Sequence, residues 1–405
     1  MLKLDKNKKY LLACSFGPDS MALFGMLLKE GYSFDVAHVN YHLREESNFE
    51  QQSLELFCFQ RSIKLYVLDN YFKQRANIEA FCRDIRYSFF ANIFKNGRYD
   101  TLLVAHQQDD LIETYILQKQ RKNLVKRYGI AEKTSIKGMT VIRPLLSYKK
   151  YECEEYCLKE NIPFAIDKTN LQPVFLRNKI RLVFIPNLTD TKRLEILEEI
   201  KKKNDEVEAI YERINNVDNK IDHLNKLSNT EFAYYLFNQI QKINQSFAIT
   251  YKQSLEVRKI INSKKPNIRV LTCKNQVVIE KTYDSLLIQE NKFEDYSFVI
   301  EEPSIIDNQI LYADLINDPN RRNITRNDYP LTIRNFRNGD KYLIKNYYVS
   351  VRRLFIDWKM PIHLRKTWPL ILNKEGRIVY IPRYQKDFKV DSNTKFYVKE
   401  CFTLK

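Results

Sequence analysis

The chain has 405 residues, 44% hydrophobic and 29% charged, values that exclude wholesale disorder and, at roughly 150 residues per domain, imply two or three domains. Lys and Arg number 67 against 50 Asp and Glu, a formal net charge of +17, so the expected partner is a polyanion: tRNA, DNA or an acidic membrane surface. No apolar run approaches the ~20 residues that span a bilayer, and the charged N-terminus runs directly into a strand pattern, so a cytoplasmic address with no membrane association is expected.

In chain order, the first 150 residues alternate β-rich runs with helical patterns, the signature of a parallel sheet covered on both faces. Strands are predicted at KYLLACS (9–15), FDVAHVNY (34–41), KLYVLDN (64–70), TLLVAH (101–106) and TVIRPL (140–145). Before the fourth strand, Ile78, Phe81, Cys82, Ile85, Phe89 and Ile93 recur at helical spacing and define one apolar face. From about 190 to 262 the pattern is helical with alternating charge, which reads as a solvated amphipathic linker or as a coiled-coil surface. Short strands return from about 266, interrupted between 302 and 330 by Pro303, Pro319 and the run NDPNRRN. The expected architecture is α/β: a doubly wound parallel-sheet domain over 1–205, a helical and α+β middle domain over 206–315, and a small α+β C-terminal domain over 316–405. The seven cysteines, at 14, 58, 82, 153, 157, 273 and 401, lack paired CxxC spacing, so reduced core thiols are expected rather than disulfides or a zinc site.

Neither GxGxxG nor GxxxxGK[ST] occurs, which argues against a Rossmann dinucleotide site and a Walker-type NTPase. Instead Ser15-Phe16-Gly17-Pro18-Asp19-Ser20 leaves the first predicted strand and opens a helix carrying Leu23, Phe24, Leu27 and Leu28. An open parallel sheet binds anions at this location, because a helix N-terminus offers unpaired N–H groups and a partial positive charge. Gly17 can adopt positive φ there, and the Ser15 and Ser20 hydroxyls add donors. Taken alone, the segment is equally an ordinary strand-to-helix turn with Ser and Asp as caps. Four further clusters favour the anion site: His38 to Arg44, Asn77 to Tyr87 with Arg83 and Arg86, Ala105 to Thr114, and Asp167 to Asn170 followed by Arg177 and Arg181. Three begin at or just beyond a predicted strand's carboxyl end, so they can converge on one sheet edge.

With these residues in view, the chain resembles the N-type ATP pyrophosphatase (PP-loop) enzymes, whose loop is SGGxDS, and within them the tRNA(Ile)-lysidine synthetase family. The resemblance covers nearly the whole chain: HVNYHLR is similar to that family's HVNHxLR, AHQQDDLIET to its AHxxDDxxET, and Arg143 to Leu146 and Asp167 to Asn170 follow in order. Arg334 to Asp340, Arg352 to Asp357 and Lys359 to Pro361 resemble the family's C-terminal domain. Two departures stand out. Phe16 occupies the place of the loop's first glycine, and QKQRKNLVKRYGIAEKTSIKG lies where the family carries an arginine-glycine stretch.

The resemblance implies a PP-loop catalytic domain, a C-terminal tRNA-binding domain and a two-step reaction on the wobble cytidine of tRNA(Ile) with a CAU anticodon. ATP adenylates the C2 oxygen with loss of pyrophosphate, and the ε-amine of free L-lysine displaces AMP to give lysidine, changing decoding from AUG to AUA. It assigns Ser15, Phe16, Gly17, Pro18, Asp19, Ser20, His38, Asn40 and His106 to ATP, and Asp19 and Asp110 to Mg²⁺, hard oxygens suiting a hard cation. Asp19, Asp110 and Arg86 are the catalytic candidates. Arg83, Asp109, Glu113, Asn170, Arg177, Arg181, Arg352 and Arg353 are the candidates for substrate contact.

Each assignment has a plainer counterpart. Asp109, Asp110 and Glu113 share helical spacing and can simply complement a helix N-terminus; His38 can be a packed, hydrogen-bonded imidazole; Arg83 and Arg86 can be solvated. Lys119, Arg121, Lys122, Lys126 and Arg127, with Tyr115 and Tyr128 between them, can flank the anticodon loop with stacking rings or form a solvated helix face. Elongator methionine tRNA shares the CAU anticodon, so Arg352 and Arg353 are expected to read a distant part of the tRNA. Two other functions compete: tRNA thiolation by a related enzyme, against which the scattered cysteines speak, and a catalytically decayed tRNA-binding protein, against which Asp19, Ser20, Asp109 and Asp110 speak. The oligomeric state is open, a homodimer included.

Overall fold

A computed structural model describes residues 2–43, 46–71, 78–166, 180–244, 247, 249–273, 276–291, 295–317, 324–388 and 396–399. Asp167 to Asn170 and Arg177, named above as candidates, lie outside the described residues. The chain divides into two units, Met1–Ala209 and Ile210–Lys405. The division falls inside a helix, Asp190–Ile214, that also contains the boundary expected at 205.

The first unit is built on six strands: β1 (Lys9–Ala13), β2 (Ser33–Asn40), β3 (Leu65–Asp69), β4 (Thr101–Val104), β5 (Lys133–Ile136) and β6 (Met139–Ile142). Their order is β3-β2-β1-β4-β6-β5, parallel throughout except for β5, which runs antiparallel to β6. The chain reverses direction between β5 and β6 through Lys137 (φ +48) and Gly138 (φ +79), two consecutive left-handed residues that match the twist of a tight hairpin. Sequence reading missed β5 because KTSI carries only one apolar side chain of the kind that marks a strand.

Strand alternation sends β1 side chains to both faces: Tyr10 and Leu12 enter one cluster, Leu11 the other. The first cluster packs helices α1 (Pro18–Lys29) and α2 (Ser47–Phe59) against the sheet, with Cys153 and Cys157 contributed from a helix later in the chain. In its centre Phe24 is fully buried and meets the rings of Phe34 and Phe57 edge-on, at centroid distances of 5.2 and 5.1 Å. The opposite face is covered by α3 (Ile78–Gly97) through Tyr87, Phe90 and Ile93. This stripe is rotated from the expected one: Phe81 is exposed, while Tyr87 and Phe90, outside the expected set, are buried. Helices α4 (Gln108–Arg121) and α5 (Lys150–Lys159), followed by α6 (Asp190–Ile214), complete the unit. Together these make it the expected doubly wound domain.

In the second unit, α7 (Ile221–Asn225), α8 (Asn229–Ile243) and α9 (Tyr251–Ile261) precede an antiparallel sheet β7-β8-β9 spanning Asn267–Cys273, Val277–Thr282 and Ser285–Glu290. Beyond it come β10 (Ser297–Ile300), β11 (Ile305–Asp307), β12 (Leu311–Asp314), β13 (Leu331–Asn335), β14 (Lys341–Ile344) and β15 (Tyr347–Ser350). Then follow α10 (Val351–Asp357), α11 (Ile362–Arg365), β16 (Pro369–Leu372), β17 (Ile378–Tyr380) and β18 (Phe396–Val398). Here β10 pairs with β13 and β12 with β18, so the expected division at 315/316 runs between hydrogen-bonded strands. Among the described residues no helix is long and apolar enough to cross a membrane.

Phe24→Ala is expected to lose about 3–5 kcal/mol of unfolding free energy in urea titrations, from reduced apolar transfer plus the cavity left beside the Phe34 and Phe57 rings.

Candidate active site

Parallel pairing sets the carboxyl ends of β1, β2 and β4 side by side: Ala13 lies opposite Ala37 in β2 and Val104 in β4. Chain leaving these ends lines a cavity of about 510 Å³, large enough for a nucleotide. Its walls include Ser15, Asp19, Ser20, His38, Asn40, Arg83, Arg86, His106 and Asp110. A neighbouring cavity of about 360 Å³ shares Ser15, Asp19 and Asp110 with it and adds Gly17, Pro18, Asp109, Glu113 and Arg181. The candidates of the first unit that fall on described residues therefore meet at one sheet edge, with Phe16 excepted. Arg352 and Arg353 belong to the second unit, where both are exposed on α10 and Arg353 pairs with Asp357 at 3.1 Å.

The turn after β1 departs from its expected conformation. Phe16, not Gly17, is left-handed, with φ +63, while Gly17 is extended at φ −78 and ψ 163. An L-residue pays about 1–2 kcal/mol for that geometry. Burial offsets it: the Phe16 ring is 3% exposed within the α1 core cluster and lines neither cavity. The Phe16 carbonyl also accepts the Ala165 N–H at 3.0 Å. Gly17 is the N-cap of α1 without a side-chain cap, and Pro18 at the first helical position has no N–H to give, so the amides of Asp19 and Ser20 face the turn uncapped. Ser20 Oγ donates to the Gly17 carbonyl at 2.9 Å and accepts the Ser15 N–H at 3.2 Å, closing the turn from inside.

Asp19 stands at the junction of the two cavities. Its Oδ1 is buried without a hydrogen-bond partner. Burial first, and the nearby Asp110 carboxylate second, push its pKa up to about 7. Asp110 closes a capping box at the start of α4, accepting the Gln107 N–H at 3.1 Å, and its other oxygen accepts from Arg181 Nη2 at 3.1 Å. Arg181 Nε donates to Glu113, so one guanidinium bridges two acids of the helix face. Asp109 takes a different course, paired with Arg193 from α6. The acids at 109, 110 and 113 thus combine capping with cross-element ion pairing. Among the described residues no group of three or more His, Cys, Asp or Glu is placed to hold a metal by itself. Two carboxylates, one with an orphan oxygen, are the hard oxygen donors that would suit a magnesium ion held partly by its substrate.

His38 is 4% exposed, and its Nδ1 lies 2.9 Å from the Cys14 carbonyl, which can only accept, so Nδ1 carries the proton. Burial depresses its pKa, and the ring is neutral. Asn40 spends its amide on the start of α2, donating to Gln51 at 2.9 Å and Asn48 at 3.1 Å, while its oxygen accepts the His42 N–H at 2.9 Å. Its part is to shape the wall. Tyr41 Oη donates to the Cys82 carbonyl at 2.6 Å and ties α3 to the end of β2, which brings Arg83 and Arg86 to the cavity. Arg83 lies over the Tyr87 ring at 4.7 Å.

One expectation fails on packing grounds. Tyr115 is 1% exposed, in a cluster with Ile112, Ile196 and Ile200, because α4 buries this side against α6. Tyr128 meets it edge-on at 5.9 Å, and Lys119 pairs with Glu199. Tyr115 is no stacking platform. The five cysteines whose side chains are described are free thiols.

The PP-loop domain family matches residues 1–188. Over 352 residues the chain is 33% identical to the tRNA(Ile)-lysidine synthase of Mesoplasma florum, covering 82% of this chain and 87% of that protein. Over 409 residues it is 32% identical to the tRNA(Ile)-lysidine synthase of Mycoplasma mycoides, covering 94% and 98%. The chain belongs to the tRNA(Ile)-lysidine synthase family. A third relative, the enzyme of the same name from Lactococcus lactis, is 30% identical over 382 residues, covering 91% of this chain and 85% of that one.

Sequence reasoning passed over Arg193, Lys150 and Glu154. Arg193 gave no signal, lying in a charged helix where any cation reads as solvated. Lys150 and Glu154 line the second cavity and act on Asp19 electrostatically, yet both sit beyond the recognisable motifs.

The raised pKa of Asp19 has a sign. The folded state keeps a proton that the unfolded chain loses above 3.8, so the resulting stabilisation is complete below 3.8 and disappears as pH rises through about 7. In metal-free urea titrations the parent is expected to lose stability relative to Asp19→Asn across that window, by up to about 1.4 kcal/mol per pH unit. A difference between the two that does not change with pH would show that Asp19 is not crowded.

Proposed function

We propose that this chain ligates free L-lysine to C2 of the wobble cytidine of tRNA(Ile) with a CAU anticodon. As a family member it is an ATP-using, tRNA-modifying ligase. The observation that carries the finer reading is the orphan oxygen of Asp19 beside Asp110, at the mouth of a turn whose helix amides are uncapped.

The reading comprises two steps. The C2 oxygen of cytidine attacks the α-phosphorus of ATP, the bond to the β-phosphate oxygen breaks, and pyrophosphate leaves. Adenylation has turned that oxygen into a good leaving group; the lysine ε-ammonium gives up a proton, the neutral amine adds at C2, the C2–oxygen bond breaks and AMP departs. Pyrophosphate leaves as a polyanion; the amides of Asp19 and Ser20 and the Ser15 hydroxyl donate toward it. Asp19 and Asp110 would hold Mg²⁺, which when bound neutralises charge on the departing phosphates. Arg83 and Arg86, on the opposite wall, supply cations to the phosphates or the activated base. The second cavity carries both signs of charge, Glu113 paired with Arg181 and Lys150 and Glu154 in the same lining, which suits a free amino acid. Arg352 and Arg353, exposed in the second unit, supply phosphate contacts to tRNA.

Incubated with tRNA, ATP, Mg²⁺ and radiolabelled lysine, the protein is expected to transfer label to tRNA with equal release of AMP. Absence of transfer from a folded, tRNA-binding sample overturns the reading. Asp19→Asn is expected to bind tRNA normally while pyrophosphate release falls by at least about 100-fold. Replacing Arg352 and Arg353 together by alanine is expected to weaken tRNA binding and flatten its salt dependence by about one log–log unit for each phosphate no longer neutralised, measured by filter binding across a salt series.

A further inference from the structure

Beyond the carboxyl ends of β2 and β3 stands a pair of rings that the scheme above leaves unused. The two strands end their pairing at Asn40 opposite Asp69, so His42 and Tyr71 lie level with each other, each two residues further on. Their rings are stacked, with centroids 3.7 Å apart and planes within 5° of parallel. His42 lines the first cavity, next to the exposed Leu43, whereas Tyr71 lies outside the lining.

The inner ring is tightly held. His42 has a left-handed backbone, φ +51, which is costly for a residue with a Cβ and persists only where the surroundings over-determine it. Three contacts do so. Its N–H donates to Asn40 Oδ1 at 2.9 Å, its Nε2 donates to Asp69 Oδ1 at 3.1 Å, and the Tyr71 ring covers one of its faces. The outer ring is open: Tyr71 is 75% exposed although one face rests on His42, so the face turned away from His42 is bare. An isolated exposed tyrosine is ordinary. This one is already stacked on a ring of the cavity wall, and the same lining carries Arg83 and Arg86, which makes the place aromatic and basic at once.

Ligation at C2 creates a use for such a face. The wobble cytidine reaches the α-phosphate of ATP only by leaving the anticodon stack, and the adenine that follows it in CAU then loses the surface the cytidine had covered. An aromatic side chain restores that surface, and a ring held in advance has little freedom left to lose on binding. We propose that the outer face of Tyr71 takes the anticodon adenine next to the wobble cytidine, with His42 as its backing ring. The proposal rests on the reading that the cytidine reacts in the first cavity. The adenine of ATP is a poorer occupant, because a nucleotide inside that cavity meets His42 and not the outer face of Tyr71.

The test uses the full chain and full-length tRNA with 2-aminopurine, whose fluorescence stacking quenches, in place of that adenine. Bound to the parent, the probe is expected to stay quenched; bound to Tyr71→Ala, it is expected to brighten severalfold. By filter binding, Tyr71→Ala is expected to weaken tRNA affinity on the order of tenfold, and Tyr71→Phe, which keeps the ring, to stay within about twofold of the parent. On tRNA made abasic at that position the ring has nothing to stack on, and Tyr71→Ala is expected to cost less than about twofold. ATP affinity, by calorimetry, is expected to be the same in all three proteins. Equal brightness on parent and Tyr71→Ala overturns the proposal. So does an equal loss on intact and abasic tRNA, which would make Tyr71 merely structural, a matching loss of ATP affinity, or a Tyr71→Phe as weak as Tyr71→Ala. A parent that quenches the probe through Tyr71 yet transfers no lysine would overturn the ligation reading and leave the stacking contact standing.

Discussion

The carboxylates of Asp19 and Asp110 come from two different strand-to-helix turns and line one partly buried cleft, and the cost of burying the Asp19 carboxylate, raised further by Asp110 nearby, is the constraint on which the site turns. Neither can move away. Asp19 is fixed one residue into α1 by the proline before it, and Asp110 is fixed by its capping bond to Gln107. Parallel strand order brings the two turns together, because β1 and β4 are neighbours and their carboxyl ends are level. A buried carboxylate beside a second one is unfavourable by itself, and perturbation of this kind is concentrated at functional sites.

Around that pair, charge is distributed by element. Arg181 spans Asp110 and Glu113, Arg193 holds Asp109, and Lys150 tempers Asp19. The acids of AHQQDDLIET, which look equivalent in sequence, therefore do different work. One caps and faces the cleft, one is neutralised by a distant helix, and one is bridged at the base of the second cavity. On the other wall Arg83 and Arg86 are delivered by α3, whose orientation is held by the Tyr41 hydroxyl. The lining of the cavity therefore carries both basic and acidic side chains.

Much of this was legible in the residues. Short apolar runs separated by helical periods were enough to place five of the six strands and the order of the turns, because burial on both faces leaves a continuous apolar signal. Asp19 and Asp110 could be paired because both follow strands at the same sheet edge. Three features were not legible, each for a physical reason. The strand at Lys133–Ile136 is an edge strand held by its neighbour's backbone, and backbone pairing leaves little trace in side-chain pattern. The face of α3 was misjudged because amphipathic spacing fixes a stripe only to within a residue or so, and the large rings of Tyr87 and Phe90 decided it. The fate of Tyr115 depended on α6, about eighty residues onward, whose charged exterior concealed an apolar inner face.

Position 16 links two properties that are separate in a glycine-rich turn. With glycine, the left-handed backbone is available whatever lies beneath it. Here the same backbone is held in place by an aromatic ring sunk among Met21, Leu23 and Phe24. The shape of the anion cradle is therefore inherited from the hydrophobic interior, and residue 16 cannot be exchanged independently: a smaller side chain must either be glycine itself or be matched by a neighbour that refills the space.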